Sequence, residues 1–211
     1  GKPSWATPSF SDEIEKFVVN PEWRIPLSIA TREIAPKVAE DPDYLEKNNI
    51  VIRKNSFIDD ELVDPSTIDW ASVKPYQFDH FLVKLPHDKN PLGKVKYLFP
   101  NPHAVYVHDT PYQQWFNEPV RAASHGCIRL EDPFSLAKLI AEEQGVESLM
   151  DNVISARDLR ESKTFHLKEP LPIHLVYWTA WADENGRINF RNDIYRRDAR
   201  DTQSLSQLAS L

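Results

Sequence analysis

The chain has 211 residues, 41% of them hydrophobic, which is enough to bury a core in one domain with an insertion or in two small domains. Its net charge of -7 argues against nucleic acid as the main partner, because binding to phosphates needs a basic surface. One cysteine excludes an internal disulfide, no apolar run of about 18 residues could span a membrane, and no signal peptide is visible.

The first third of the chain changes character once. Residues 1–12 are typical of a loop, and the alternation of polar and apolar residues over 13–19 predicts a half-buried strand. Residues 21–77 instead favour short helices and loops, with a helical stretch over 26–47 that Pro36 must break or kink. We therefore predict that residues 21–77 form a helical insertion between strands, and we call this segment the insertion.

Strand patterns return after the insertion, at 78–85, 94–99, 104–108 and 127–130. Asp132 and Pro133 predict the capped start of a helix that ends at Gly145. A hairpin is predicted from 173–181 and 187–190. The predicted fold class is α+β and rich in β-structure, with residues 1–20 and 78–211 forming the main domain.

The only cysteine lies in residues 124–129 (SHGCIR), and His108 ends a predicted strand upstream of it. A thiol attacks a carbonyl as the thiolate, and imidazole is its usual base because its pKa lies near neutrality. Gly126 lets the backbone approach a substrate, and N–H groups at such a turn can bind an oxyanion. These residues predict nucleophilic catalysis by Cys127.

Two other interpretations of these residues stay open at this point. A single cysteine beside a histidine is often a structural or incidental residue. A zinc site built from Cys127, His125, His108 and His103 is chemically sensible, although structural zinc sites usually contain more cysteines.

The segment 108–112 (HDTPY) followed by 121–130 (RAASHGCIRL) resembles the signature of the YkuD-type L,D-transpeptidases. In that family a histidine precedes Ser/Thr-His-Gly-Cys by about fifteen residues, and here fifteen residues separate His108 from Ser124. Other segments resemble the lid-containing branch of Gram-negative periplasmic murein L,D-transpeptidases, namely 1–8, 20–26, 63–70, 93–100 and 177–181. The resemblance covers essentially the whole chain, and it implies a YkuD-like catalytic domain with the insertion as its lid. It also implies a start inside that domain, because the family's Gly-Lys/Arg-Pro turn normally follows one or two strands.

By resemblance, Cys127 is the acylated nucleophile, His108 is its general base, and the N–H groups of Gly126 and Cys127 bind the oxyanion. The strand period of two places Tyr106 on the same face as His108, where its hydroxyl either reaches the oxyanion or simply packs. Asp109 points to the opposite face, so a backbone carbonyl is expected to orient His108 instead.

The remaining site residues have less defined roles. His125 is expected to orient the loop or to contact substrate, and Ser124 is expected to contact substrate. Arg129 is expected to hold a substrate carboxylate or to support the thiolate, and an ion pair with Glu131 or Asp132 is the alternative.

The resemblance further implies an acyl transfer between peptidoglycan peptide stems, with no metal or organic cofactor and with carbapenem-type β-lactams as covalent inhibitors. It implies a periplasmic or cell-envelope location, and the sequence identifies no protein partner. An L,D-carboxypeptidase or endopeptidase using the same chemistry, and a non-catalytic wall-binding module, are the alternatives.

Overall fold

The structure is a computed structural model that describes residues 1–54 and 61–198. Its strands and α-helices are, in chain order, β1 (Phe10–Val19), β2 (Trp23–Arg24), α1 (Leu27–Ile29), α2 (Ala35–Glu40), α3 (Tyr44–Lys47), β3 (Ile50–Lys54), β4 (His80–Lys84), β5 (Val95–Leu98), β6 (Val107–His108), β7 (Ile128–Arg129), α4 (Pro133–Glu143), α5 (Leu149–Leu159), β8 (Lys163–Leu175), β9 (Ala180–Ala182) and β10 (Ile188–Phe190). A π-helical turn, Ala30–Ile34, joins α1 to α2.

A five-stranded sheet in the order β7-β6-β5-β1-β8 forms the main domain. Its strands pair antiparallel, except that β6 and β7 run parallel. The mixed helix and sheet content confirms the predicted α+β class. The parallel pair brings His108, at the end of β6, beside Arg129 of β7, close to Cys127.

The core lies on one face of this sheet, under α4 and α5. Phe17, Tyr97 and Val107 are buried there with Ala137 and Val153 of the two helices. Burying a side chain of the larger kind contributes roughly 1.5–3 kcal/mol. Because side chains alternate along a strand, the neighbours of these core residues on β5 and β6 point to the opposite face.

The insertion and the strand that follows it, β4, form a small sheet in the order β2-β4-β3. This sheet packs on a second apolar cluster that includes Ile34, Leu45, Ile52 and Leu82. The sequence predicted no strand at β3. It also placed β4 in the main domain, whereas β4 pairs with β2 and β3. The β-branched run 50–52 is short, and its partner lies far along the chain, so the pairing has no local signal.

Proline positions explain two features of the helices and strands. The predicted helical stretch is broken as expected, since Pro36 lies in the first turn of α2, directly after the π-helical turn. Pro170 and Pro172 lie within β8, and no strand was predicted over residues 163–172. β8 is an edge strand. Proline donates no hydrogen bond to a neighbouring strand, and it is tolerated at an edge for that reason.

The helix predicted after Asp132 is confirmed, since the Asp132 carboxylate accepts a 3.0 Å hydrogen bond from the Ser135 N–H at the start of α4. Gly145 follows the end of α4 with a φ of 63°. The predicted hairpin is found as β9 and β10, but its first strand was placed wrongly, because residues 173–175 belong to β8 and pair with β1. No helix in the described part of the chain is long and apolar enough to cross a membrane.

Candidate active site

Four site residues lie on one face of the parallel β6–β7 pair. The Ile128 N–H donates to the Tyr106 carbonyl at 3.0 Å, and the Leu130 N–H donates to the His108 carbonyl at 2.8 Å. His108 is therefore paired with Arg129, and Tyr106 lies beside Cys127. All four residues line one cavity of about 220 Å³.

His108 is held as a neutral base. Its side chain is buried, and Nδ1 donates to the carbonyl oxygen of Asp109. Nε2 is then the unprotonated nitrogen, free to accept a proton. Burial lowers the pKa of His108 to about 4, opposed by the Asp109 carbonyl and reinforced by the positive charge of Arg129. The expectation that a backbone carbonyl orients this ring is confirmed.

The Asp109 side chain has a different task, which is to hold the turn that precedes β5. Its Oδ2 accepts a 2.7 Å hydrogen bond from the Lys94 N–H. Gly93 lies directly over this carboxylate with a φ of 61°, and a Cβ built on it would lie 2.3 Å from Oδ2. The position therefore requires glycine, for both its conformation and its lack of a side chain.

We expect Gly93→Ala to destabilise the protein and to lower activity by displacing the strand end at His108. The left-handed conformation alone costs an alanine roughly 1–2 kcal/mol, and the contact with Asp109 adds to that. Thermal unfolding would measure the loss. Gly186→Ala is the matched control, because Gly186 also has a positive φ of 75° but has open space around its Cβ position. An equal loss in both variants would contradict the importance of the Asp109 contact.

Cys127 rests as a thiol. It is half-buried, and burial raises the pKa of the thiol. The backbone N–H and the hydroxyl of Tyr106, and the positive charge of Lys96, lower this pKa in part. The sulfur thus depends on a base for full ionisation, and it has hydrogen-bond donors beside it that favour the anion.

The loop before Cys127 is braced from both sides. Ser124 Oγ donates to the Cys127 carbonyl at 2.7 Å and accepts from the Gly126 N–H at 3.2 Å. Thr7 Oγ1 donates to the Gly126 carbonyl at 2.8 Å. Gly126 has a φ of 116°, which favours glycine. Ser124 lines the cavity but uses its hydroxyl to brace the loop, and the Gly126 N–H predicted for the oxyanion is already engaged with it.

The Tyr106 side chain brings a hydroxyl to the same cavity as the thiol. Its edge-on ring lies 5.7 Å from the His108 ring, measured between centroids. Burial, followed by the charge of Cys127, raises the pKa of the Tyr106 hydroxyl well above its usual value, so it stays protonated. A protonated hydroxyl beside the sulfur can donate to a negative oxygen that forms there.

His125 lines the same cavity as these four site residues. It is exposed, its ring packs edge-on against Trp5 at 5.3 Å, and its Nε2 lies 3.9 Å from Glu33 Oε1 in the insertion. These contacts place His125 between the loop and the insertion, as a residue that orients the loop would be. His103 was one of the four ligands in the zinc interpretation. Its ring packs on the Phe10 ring, with 5.1 Å between the ring centroids.

Arg129 keeps part of its hydrogen-bonding capacity unused. Its buried Nε has no hydrogen-bond partner among the described residues. The Asp132 carboxylate, one suggested ion-pair partner, accepts from Ser135 instead. A guanidinium of this kind can bind a carboxylate, and that role stays a prediction.

Sequence reasoning missed Lys96. It pairs with His108 across β5 and β6, and its Nζ lies 4.4 Å from the centre of the Tyr106 ring. Strand alternation does predict that Lys96 points away from the core residues Val95 and Tyr97, but a lysine on that face looks solvent-exposed. Only the register with β6 reveals that it joins the site.

Cys127 lies where two cavities meet. The first, described above, is also lined by Trp23, Pro26, Ile29 and Glu33 of the insertion. The second has about 240 Å³ and is also lined by Trp115, Phe116 and Arg121. Ser124, Cys127 and Arg129 line both cavities.

One cavity of the main sheet thus contains a half-buried thiol, a neutral imidazole and a protonated tyrosine hydroxyl. Residues 1–152 match the model of the YkuD family, described as the L,D-transpeptidase catalytic domain, and the chain belongs to this family. It is also 33% identical over 201 residues to a Haemophilus influenzae protein named "Putative L,D-transpeptidase". That match covers 94% of this chain and 39% of the length of the relative.

Proposed function

We propose that this protein is a peptidoglycan L,D-transpeptidase that crosslinks the diamino acids of two peptide stems through a thioester on Cys127. The membership in the YkuD family supports the reaction class. The position of Cys127 at the junction of two cavities is the observation that carries the proposal, because a transfer reaction needs separate access for donor and acceptor.

In the proposed mechanism, His108 Nε2 takes the proton of Cys127. The sulfur then attacks the carbonyl carbon of the amide that joins the L-centre of the diamino acid to the terminal D-alanine. The Tyr106 hydroxyl and the Cys127 N–H stabilise the oxyanion that forms. D-Alanine leaves with the proton from His108, and a thioester remains. An amine of a second stem then attacks the thioester and releases Cys127, with no metal or organic cofactor.

The donor is proposed to occupy the cavity between the main domain and the insertion, since His108 and Tyr106 line that cavity. The acceptor amine is proposed to enter from the second cavity. Arg129 lines both cavities and is proposed to bind a stem carboxylate, which would help to fix the position of the reacting carbonyl.

Purified disaccharide-tetrapeptides, incubated with the protein and analysed by mass spectrometry, would test the proposal. We expect crosslinked dimers together with free D-alanine. Tripeptide products without dimers would favour the L,D-carboxypeptidase alternative, in which water replaces the acceptor amine. Cleavage of existing crosslinks alone would favour an endopeptidase. No product at all would contradict the proposal and favour a non-catalytic wall-binding module.

We further propose that carbapenem-type β-lactams acylate Cys127, since their strained carbonyl meets the same nucleophile. The increase in protein mass after incubation would measure this acylation.

We also propose that the protein acts in the periplasm or cell envelope, because the proposed substrate, peptidoglycan, lies there.

We propose that the insertion is a mobile lid over the donor cavity. Trp23 reaches this cavity from the insertion, whereas Trp70 packs against Phe78 at 5.6 Å within the insertion. Helices as short as α1 to α3 gain their stability mainly from packing and can shift as a unit. The alternative is a fixed subdomain that only supports the main domain.

Hydrogen exchange, with and without an acylating β-lactam, distinguishes the two. We expect residues 26–54 and 61–70 to exchange faster than β5 and β6 in the free protein and to gain protection after acylation. The Cys127→Ala variant is the control, because it cannot be acylated and should show no gain. Slow exchange of these residues in both states, equal to that of β6, would show a fixed subdomain.

A further inference from the structure

Lys96 is a half-buried cation next to the reacting groups. In the antiparallel ladder between β5 and β6 it stands directly opposite His108. Its Nζ lies over the ring of Tyr106, 4.4 Å from the centre, and Tyr106 itself lies beside Cys127. The ammonium is therefore fixed on the same face of the sheet as the thiol and the imidazole.

No acidic side chain in the described part of the chain forms an ion pair with Lys96. Lys94, two residues earlier, differs in this respect, because its Nζ bonds to Asp88 Oδ1 at 2.7 Å. Burial lowers the pKa of Lys96, and the negative charge of Cys127 raises it. An ammonium that is partly removed from water costs free energy unless an anion compensates for it. Here the compensating anion is the one that the reaction creates.

We propose that Lys96 is a positioning residue whose charge stabilises the Cys127 thiolate and the oxyanion that follows it. This inference rests on the proposed function for the fate of the acyl group, but its effect on the thiol does not depend on that fate. An opposite charge a few ångströms away in a half-buried site favours the ionised thiol.

The same charge also acts on His108, in the opposite sense. A cation beside the imidazole disfavours its protonated form, and Lys96 contributes to the low pKa of His108. During the reaction the proton moves from Sγ to Nε2 and then to the nitrogen of the departing D-alanine, while the S–C bond forms and the C–N bond breaks. In the first step, the charge of Lys96 stabilises the thiolate. In the second step, it helps the imidazolium of His108 to release its proton to the leaving nitrogen.

Several other groups face the thiol, and the experiment must hold them constant. Tyr106 and His108 face it from β6, and Arg129 faces it from β7. Glu33 of the insertion lines the same cavity. All of these residues are kept in every variant, so a comparison of an uncharged variant with Lys96→Arg reports the charge of Lys96.

The test is the pH dependence of alkylation of the protein by iodoacetamide. The chain contains one cysteine, so the reaction reports Cys127 without background. We expect Lys96→Met to raise the midpoint of the alkylation profile by about one pH unit, which is about tenfold slower alkylation at a fixed pH below the midpoint. Lys96→Arg should keep the midpoint near that of the unchanged protein, because it keeps the charge.

Lys163→Met is the matched control. Lys163 also lies over an aromatic ring of the main sheet, with its Nζ 5.5 Å from the centre of the Phe165 ring, but at the other edge of the sheet. We expect no change of the midpoint in this variant. Lys96→Gln is a second uncharged variant that keeps a polar chain end. It replaces Lys96→Met in the experiment if thermal unfolding shows that the methionine variant is not folded.

An unchanged midpoint in a folded Lys96→Met or Lys96→Gln variant would overturn the inference, as would an arginine variant that behaves like the methionine variant. These outcomes are separate from the proposed function. If the unchanged protein made no crosslinks from peptide stems while Lys96→Met still shifted the midpoint, the proposed function would fail and the inference about Lys96 would stand.

Discussion

We expect the Cys127→Ala variant to lose both acylation by a β-lactam and crosslinking of peptide stems. The proposed reaction passes through a thioester, and the chain has no second thiol that could form one. Loss of a nucleophile of this kind costs on the order of 10⁴–10⁶-fold in rate. The fold should persist, because Cys127 is only half-buried at the border of the core and alanine fits its space. The measurements are the mass increase after incubation with a carbapenem and the yield of crosslinked dimers.

Cys127→Ser is the companion variant. Serine keeps the size of the side chain and the contacts of the loop, but its hydroxyl is a far weaker acid than a thiol. We expect the serine variant to remain folded and to be almost as inactive as the alanine variant. An alanine variant that still formed dimers would show that the nucleophile is not Cys127, and the mechanism would then be wrong.

The short sequence around Cys127 was enough to predict the family, and it singled out Cys127 and His108 as nucleophile and base, which stay predictions. That success depends on local signals, since His108 and Cys127 each lie in a compact motif at a strand end. The cap at Asp132 and the turn before Ile188 were predictable for the same reason, because each is encoded within a few residues.

The features that sequence reasoning missed depend on pairing between distant segments. Nothing near Arg129 reveals that it stands beside His108, because this follows from the parallel register of β6 and β7. Lys96 enters the site only through its register with β6. β4 joins the insertion because its partners β2 and β3 lie on either side of it in that sheet. Register is set by the whole folded chain, and a strand pattern alone does not specify it.

Most of β8 was not predicted either, since no strand pattern was assigned to residues 163–172. Pro170 and Pro172 argue against a strand if the strand lies inside a sheet, and they are acceptable at an edge. The position of β8 in the sheet decides which applies, and it is known only from the topology.

The second large effect is expected for His108→Ala. Without this base the variant depends on thiolate that is already ionised, and burial raises the pKa of Cys127, so little thiolate is present near neutrality. General-base assistance is typically worth roughly 10²–10⁴ in rate. We therefore expect acylation by a carbapenem near pH 7 to slow by about that factor. His125→Ala should lose less, because its ring contacts Trp5 and the insertion.

The pH profile gives this prediction a signature that a folding defect would not produce. Burial lowers the pKa of His108 to about 4, so the base is neutral and active above that value, and acylation should fall only as the pH drops through it. In His108→Ala this acidic limb should disappear. Its rate should instead rise with pH in proportion to the thiolate, so the deficit shrinks as the pH approaches the raised pKa of Cys127. His108→Gln, which keeps an N–H donor for the Asp109 carbonyl, should show the same profile with less disturbance of the strand. Equal kinetics for the His108 variants and the unchanged protein, or a larger loss in His125→Ala, would assign the base to another residue.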